Sequence, residues 1–233
     1  YDNPNLGKSS YGFNSRIKTV AQPPPITKKL PYPIRGNDFQ EFTEATQTID
    51  SENNVIKNHA QQLVAGKDDL FEVVFALARW TEENIEYDLS TLTADASLQA
   101  SWVLENKVGV CDELTSLFIA MTRSLGIPAR FVKGISHTNS EAFDTNWVAH
   151  GWAEVYFPDV GWVPFDPTYG QYGYVDAAHF KLRESDDPKK ADVLYRMEGS
   201  GVQLKPGEIL PEINIINRGK QLPKQVDITV THS

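Results

Sequence analysis

The sequence holds a single cysteine, Cys111, among 233 residues. That excludes an intrachain disulfide and any zinc cage built from cysteines. No run approaches the roughly 18 to 20 uninterrupted apolar residues that a membrane helix needs, so this chain carries no membrane span. Positive charge is scarce, with 22 Lys and Arg against 31 Asp and Glu and a net charge of −9. A chain this acidic has no field for steering phosphate backbones, which argues against a nucleic-acid partner. A phosphate-binding loop is missing too. Gly7-Lys8-Ser9 would need a glycine at position 2, where Asp2 stands. His59, His137, His179 and His232 lack metal-ligand spacing and read as surface residues, so neither metal nor cofactor is expected.

Hydrophobic residues make up 40% and charged residues 23%, a globular composition. Residues 1–50 are punctuated by Pro23, Pro24, Pro25, Pro31 and Pro33, which favour extended backbone and leave room for only short strands, such as 16–20. From about 52 to 86 the period is helical. Val55, Ile56, Ala60, Leu63 and Val64 share one face, Gly66 ends that helix, and Asp69 with Glu72 starts the next. Leu114, Leu117, Phe118, Met121 and Leu125 mark a third helix, beginning at or just after Cys111 and closed by Gly126 and Pro128. Extended runs follow at 129–132, 148–157 and 162–166, and a hairpin is expected at 212–216 and 226–230. The expected organisation is an extension over 1–50, a core over 51–190, and a β-hairpin segment over 191–233 that completes the sheet or begins another domain.

A lone cysteine is commonly a small buried hydrophobe. Cys111, however, falls at a helix N-terminus, where free N–H groups and the helix dipole favour thiolate. Asp112 and Glu113 oppose that, so a cation is needed to hold the thiolate. His150, in the apolar strand Trp147 to Trp152, is the candidate partner; its alternative is a structural histidine. Asp166 ends the strand Trp162 to Asp166 and either caps the turn before Pro167 or orients the imidazole. Paired residues in an antiparallel hairpin have a constant sum, and His150 with Asp166 sums to 316, centred on Pro158. A two-residue turn at Asp159-Val160 would give an odd constant and opposite faces. The connection should therefore contain an odd number of residues, or a bulge should correct the register.

Four motifs in order, Gly109-Val110-Cys111-Asp112-Glu113, Leu125 to Arg130, His150 to Tyr156 and Gly161 to Thr168, resemble the transglutaminase-like superfamily. More narrowly they resemble its microbial branch of provisionally assigned cysteine proteases, over about residues 70–185. The resemblance implies an α+β, papain-like fold, with helices carrying the cysteine packed on an antiparallel sheet carrying histidine and aspartate. It implies a Cys111, His150 and Asp166 triad. Gly151 departs from the alanine or serine that usually follows the histidine. Gln99 and Trp102 are the upstream candidates for an oxyanion side chain, and Trp152 for a cleft wall; the two tryptophans have core packing as their alternative.

The expected reaction is cysteine-dependent acyl transfer at an amide through a thioester, ending in hydrolysis by water, with a protein or peptide as substrate. Transfer to a lysine amine, as in a transglutaminase, and a non-catalytic binding scaffold are the alternatives. No Asp-x-Asn/Asp-x-Asn/Asp-Gly calcium loop is present, and the cysteine pairs of a peptide N-glycanase are missing. Because the chain begins at Tyr1, a processed or excised piece of a larger exported protein in an extracytoplasmic setting is expected.

Overall fold

The computed structural model describes residues 19, 26, 28–34, 36, 39–91, 98–144 and 146–191. The hairpin expected at 212–216 and 226–230, and most of the short strand at 16–20, lie outside them. Among the described residues the α-helices are, in chain order, α1 (Asn54–Leu63), α2 (Leu70–Asn84), α3 (Ala100–Asn106) and α4 (Cys111–Ser124). The strands are β1 (Glu86–Tyr87), β2 (Val108–Gly109), β3 (Ala129–His137), β4 (Trp147–Phe157), β5 (Gly161–Asp166), β6 (Gln171–Tyr172) and β7 (His179–Ser185). No helix among the described residues is long and apolar enough to cross a membrane.

Local chemistry fixes the helix ends. The Asn53 side chain accepts the Val55 N–H at 2.9 Å, and the Asp69 carboxylate accepts the Phe71 N–H at 2.8 Å. At the far end of α4, Gly126 has φ of 76°. Its N–H reaches the Arg123 carbonyl at 2.8 Å, and the Ile127 N–H reaches that of Thr122 at 3.3 Å. That pair of bonds is the glycine-terminated cap the sequence predicts. One position on α1 departs from expectation. Ile56, Ala60 and Val64 are buried, but Val55 is 59% exposed. It lies about 100° round the helix from Ile56, outside the buried stripe.

Helix α4 is more than amphipathic. Leu114, Leu117, Phe118 and Met121 are buried as expected, but so are Thr115, Ser116, Ile119, Ala120 and Thr122 on its other faces. The first three helices surround α4 on one side and the sheet covers it on the other, so every face meets protein. Ile26, Leu30 and Ile49 join the same core, which therefore reaches upstream of residue 51. The antiparallel sheet runs β6-β5-β4-β3-β7. Neither α3 nor β7 was legible in the sequence: a seven-residue helix shows barely two turns of period, and β7 is half-exposed to exposed along most of its length.

Candidate active site

Strands β4 and β5 pair with Ala153 opposite Phe165 and Phe157 opposite Gly161, a constant sum of 318. The connection is the three residues Pro158, Asp159 and Val160, an odd number, with Asp159 at φ of 64° and Gly161 at 98°. His150 and Asp166 consequently share a face. Both are buried, and His150 Nε2 lies 2.7 Å from Asp166 Oδ2. The other carboxylate oxygen accepts the N–H groups of Thr168 at 2.8 Å and Tyr169 at 3.1 Å. Burial acts to raise the Asp166 pKa. The charge and hydrogen bond of His150, and then those of His179, outweigh it and hold the carboxyl well below its ordinary range.

Cys111 begins α4, and the two-residue β2 before it pairs in parallel with β1, Tyr87 lying beside Gly109. The buried Glu113 carboxylate accepts the N–H of Val110 and that of Leu98, each at 3.2 Å, and so pins the entrance of the helix. The thiol is half-buried. Burial pushes it up most, the Asp112 carboxylate adds to that, and the Gly151 N–H that donates to sulfur works against both. The helix terminus therefore does not hold a standing thiolate by itself. Gly151 is clamped to α4 from its other side as well, since its carbonyl accepts the Thr115 hydroxyl at 3.1 Å. This glycine links the strand carrying His150 to the helix carrying Cys111.

The remaining sequence candidates fall elsewhere. The Gln99 amide donates to the Gln47 carbonyl at 3.3 Å. Trp102 is exposed on α3. Trp152 is buried with its ring 6.1 Å from that of His150, so it packs behind the imidazole instead of facing solvent. Tyr169, which no sequence motif singles out, stacks on His150 at 4.7 Å and shares a 3.1 Å hydrogen bond with Ser136. Tyr87 is partly exposed, and its phenol is pushed up by burial and next by the charge that Cys111 can carry.

The reading of His179 as a surface residue is corrected: it is 5% exposed and bonds Asp166 Oδ2 through Nε2 at 2.9 Å. No spacing in the sequence signals this, because the contact depends on β7 pairing with β3. His150, Asp166 and His179 offer three ligand atoms within 4.8 Å of one another. Ligands around a tetrahedral zinc lie about 3.3 Å apart, given bonds of about 2.0 to 2.1 Å. The observed 2.7 and 2.9 Å are hydrogen-bond lengths, so the group is one of shared protons.

Residues 57–167 match the model of the transglutaminase-like superfamily. That segment is a transglutaminase-like domain. Its fold agrees with a solved structure from Cytophaga hutchinsonii, a protein provisionally named a cysteine protease, at a TM-score of 0.56 and 21% identity, covering 71% of this chain and 53% of that one. The chain is also 29% identical over 196 residues to YebA of Bacillus subtilis, across 78% of this chain and 26% of that protein. Over 102 residues it is 28% identical to a protein-glutamine gamma-glutamyltransferase of Pseudomonas aeruginosa, across 42% of this chain and 15% of that protein. The chain thus spans about a quarter or less of these two relatives.

Proposed function

We propose that this transglutaminase-like domain catalyses acyl transfer at an amide bond, with Cys111 as nucleophile, His150 as acid and base, and Asp166 orienting the imidazole. The observation that carries the reading is the 2.7 Å bond between His150 Nε2 and Asp166. It engages Nε2 and leaves Nδ1 as the nitrogen that would take the proton of the thiol, which in the resting structure donates to Asp112 Oδ1 at 3.7 Å. Burial and the Asp112 carboxylate favour the thiol over the thiolate. Attack therefore couples to proton transfer: sulfur bonds to the carbonyl carbon as its proton passes to Nδ1. The developing oxyanion meets the free N–H groups at the start of α4, that of Cys111 first. Trp102 stays a candidate second donor; the Gln99 amide is already engaged. As the C–N bond breaks, His150 returns the proton to the leaving amine, and a thioester remains.

Water then attacks the thioester, His150 takes its proton, and the acid leaves as the thiol re-forms. We favour this hydrolytic ending, on protein or peptide substrates in an extracytoplasmic setting, because bulk water needs no dedicated site. The name of the Pseudomonas aeruginosa relative favours a second ending, in which a lysine amine takes the acyl group. A non-catalytic scaffold is the third reading.

Alkylation of Cys111 by iodoacetamide from about pH 5 to about pH 9 tests the core of the proposal. His150→Ala is expected to slow alkylation near neutral pH about tenfold or more. A wild-type rate equal to that of free cysteine and indifferent to His150→Ala would leave only the scaffold. Incubating glutamine peptides with a labelled amine separates the endings: amine incorporation selects transamidation, and free acid selects hydrolysis.

A further inference from the structure

His179 sits between two carboxylates. Its Nε2 lies 2.9 Å from Asp166 Oδ2 and its Nδ1 lies 2.9 Å from Asp176 Oδ1. An ionised carboxylate only accepts hydrogen bonds, and a neutral imidazole has one donor, so both bonds together require the imidazolium. Asp176 is itself built in. Its carboxylate accepts the Gln171 amide at 2.8 Å and the Ala178 N–H at 2.9 Å, and its own N–H donates to the Gln171 side chain at 2.7 Å. Two other titratable rings face His179: those of His150 and Tyr169 both lie 5.5 Å away, while the indole of Trp152 closes the remaining edge at 5.4 Å. Burial alone would lower the His179 pKa, but the bonds to Asp166 and Asp176 and their charges push it up to about 9.

The two histidines differ in one respect. His150 meets one carboxylate and keeps a nitrogen in reserve, whereas His179 meets two and has none to spare. We propose that His179, held by Asp176, is a positioning residue: a fixed imidazolium that keeps Asp166 Oδ2 aimed at His150 and sets the pH range in which His150 and Cys111 exchange a proton. The role rests on the acyl-transfer reading above. The ring carrying that charge lies 5.5 Å from the ring of His150, close enough to act on the proton exchange. Four donors then fix the carboxylate: two ring nitrogens on one oxygen and two backbone N–H groups on the other.

His179→Gln keeps an N–H donor within reach of Asp166 and removes the charge. Removing a cation raises the pKa of every nearby group. Both limbs of the iodoacetamide rate profile of Cys111 are expected to move to higher pH, by about one unit or more for a charge at this range. A profile superimposed on the wild type's overturns the proposal, since a merely structural donor is replaced by glutamine without moving it. A second readout needs no reactive thiol. In the Cys111→Ala chain, the ring nitrogens of His179 are expected to show the imidazolium pattern by NMR at pH 7, and Asp176→Asn is expected to lower its titration midpoint. A neutral ring at pH 7 overturns the proposal even if His179→Gln fails to fold. Wild-type alkylation that ignores His150 overturns the acyl-transfer reading and the positioning role with it, while the NMR result still reports the charge on His179.

Discussion

His150 and Asp166 are hydrogen-bonded at 2.7 Å although they are not cross-strand partners. Continuing the β4–β5 register would set Asp166 opposite Trp152, two places along from His150. Two places is one full pleat, so the pair lies diagonally on one face, within reach of an imidazole and a short carboxylate. The three-residue connection makes this possible; a two-residue turn would have put one of them on the other face.

The charge beside the thiol can be edited. Asp112 ranks just after burial among the causes that raise the Cys111 thiol, and it also pairs with Lys133 at 3.6 Å. Asp112→Asn is expected to move the alkylation profile of Cys111 towards lower pH. An unchanged profile would mean that burial alone governs the thiol.

Gly151 has no room for a side chain. A Cβ there would lie 2.5 Å from Phe131 Cζ and 2.6 Å from Asp112 Oδ1. Gly151→Ala is expected to destabilise the fold by about 1–3 kcal/mol, the usual range for overpacking, measured by chemical denaturation. The same push should disturb the Asp112 carboxylate, so the reactivity of Cys111 should change alongside stability.

Arg123 is a buried staple. Its Nε donates to the Ala129 carbonyl at 2.9 Å, Nη1 to that of Glu44 at 2.9 Å and Nη2 to that of Asp186 at 2.8 Å. Burial lowers its pKa to about 10, which still leaves it charged at neutral pH. Arg123→Met strands three carbonyls and is expected to lower stability by about 2–4 kcal/mol, with no direct effect on the intrinsic chemistry of Cys111. Equilibrium unfolding in urea checks it.

Stability should depend on pH in two opposite ways. The folded pKa of His179 is raised from 6.5 to about 9, so its contribution is complete below about pH 6.5 and fades as pH rises through about 9. The folded pKa of Asp166 is depressed from 3.8, so its contribution is present above about pH 4 and fades as pH falls below that. A thermal-unfolding series should show a plateau between these limits and a decline on either side. His179→Gln should remove the alkaline decline that this residue causes, and a decline of equal depth in the variant would assign it to other groups.

Much of the local structure was legible from the residues. The start of α4 at Cys111, its Gly126 cap and the strands bearing His150 and Asp166 all follow from period, turn chemistry and breakers acting within a few residues. The parity of the β4–β5 connection was legible as a constraint for the same reason. The burial of α4 on all faces was not, because Thr115, Ser116 and Thr122 look like a solvent face until the sheet covers them. Val55 looked like part of a buried stripe and is not, since hydrophobicity records what can be buried and not which side a neighbour occupies. His179 was misread most plainly. Its place beside Asp166 needs β7 to return along β3, a pairing between segments more than forty residues apart.

The sequence by itself determined α1, α2, α4 and the strands β3 to β5, the order of the motifs and the three residue types on which the proposed chemistry depends, because each is written in short-range spacing. Only the tertiary structure decided that Asp166 serves two histidines, that one of them is wedged between two carboxylates, and that Gly151 ties strand to helix. Those are meetings of side chains distant along the chain, and a buried proton's position depends on every acceptor around it, which no local pattern specifies.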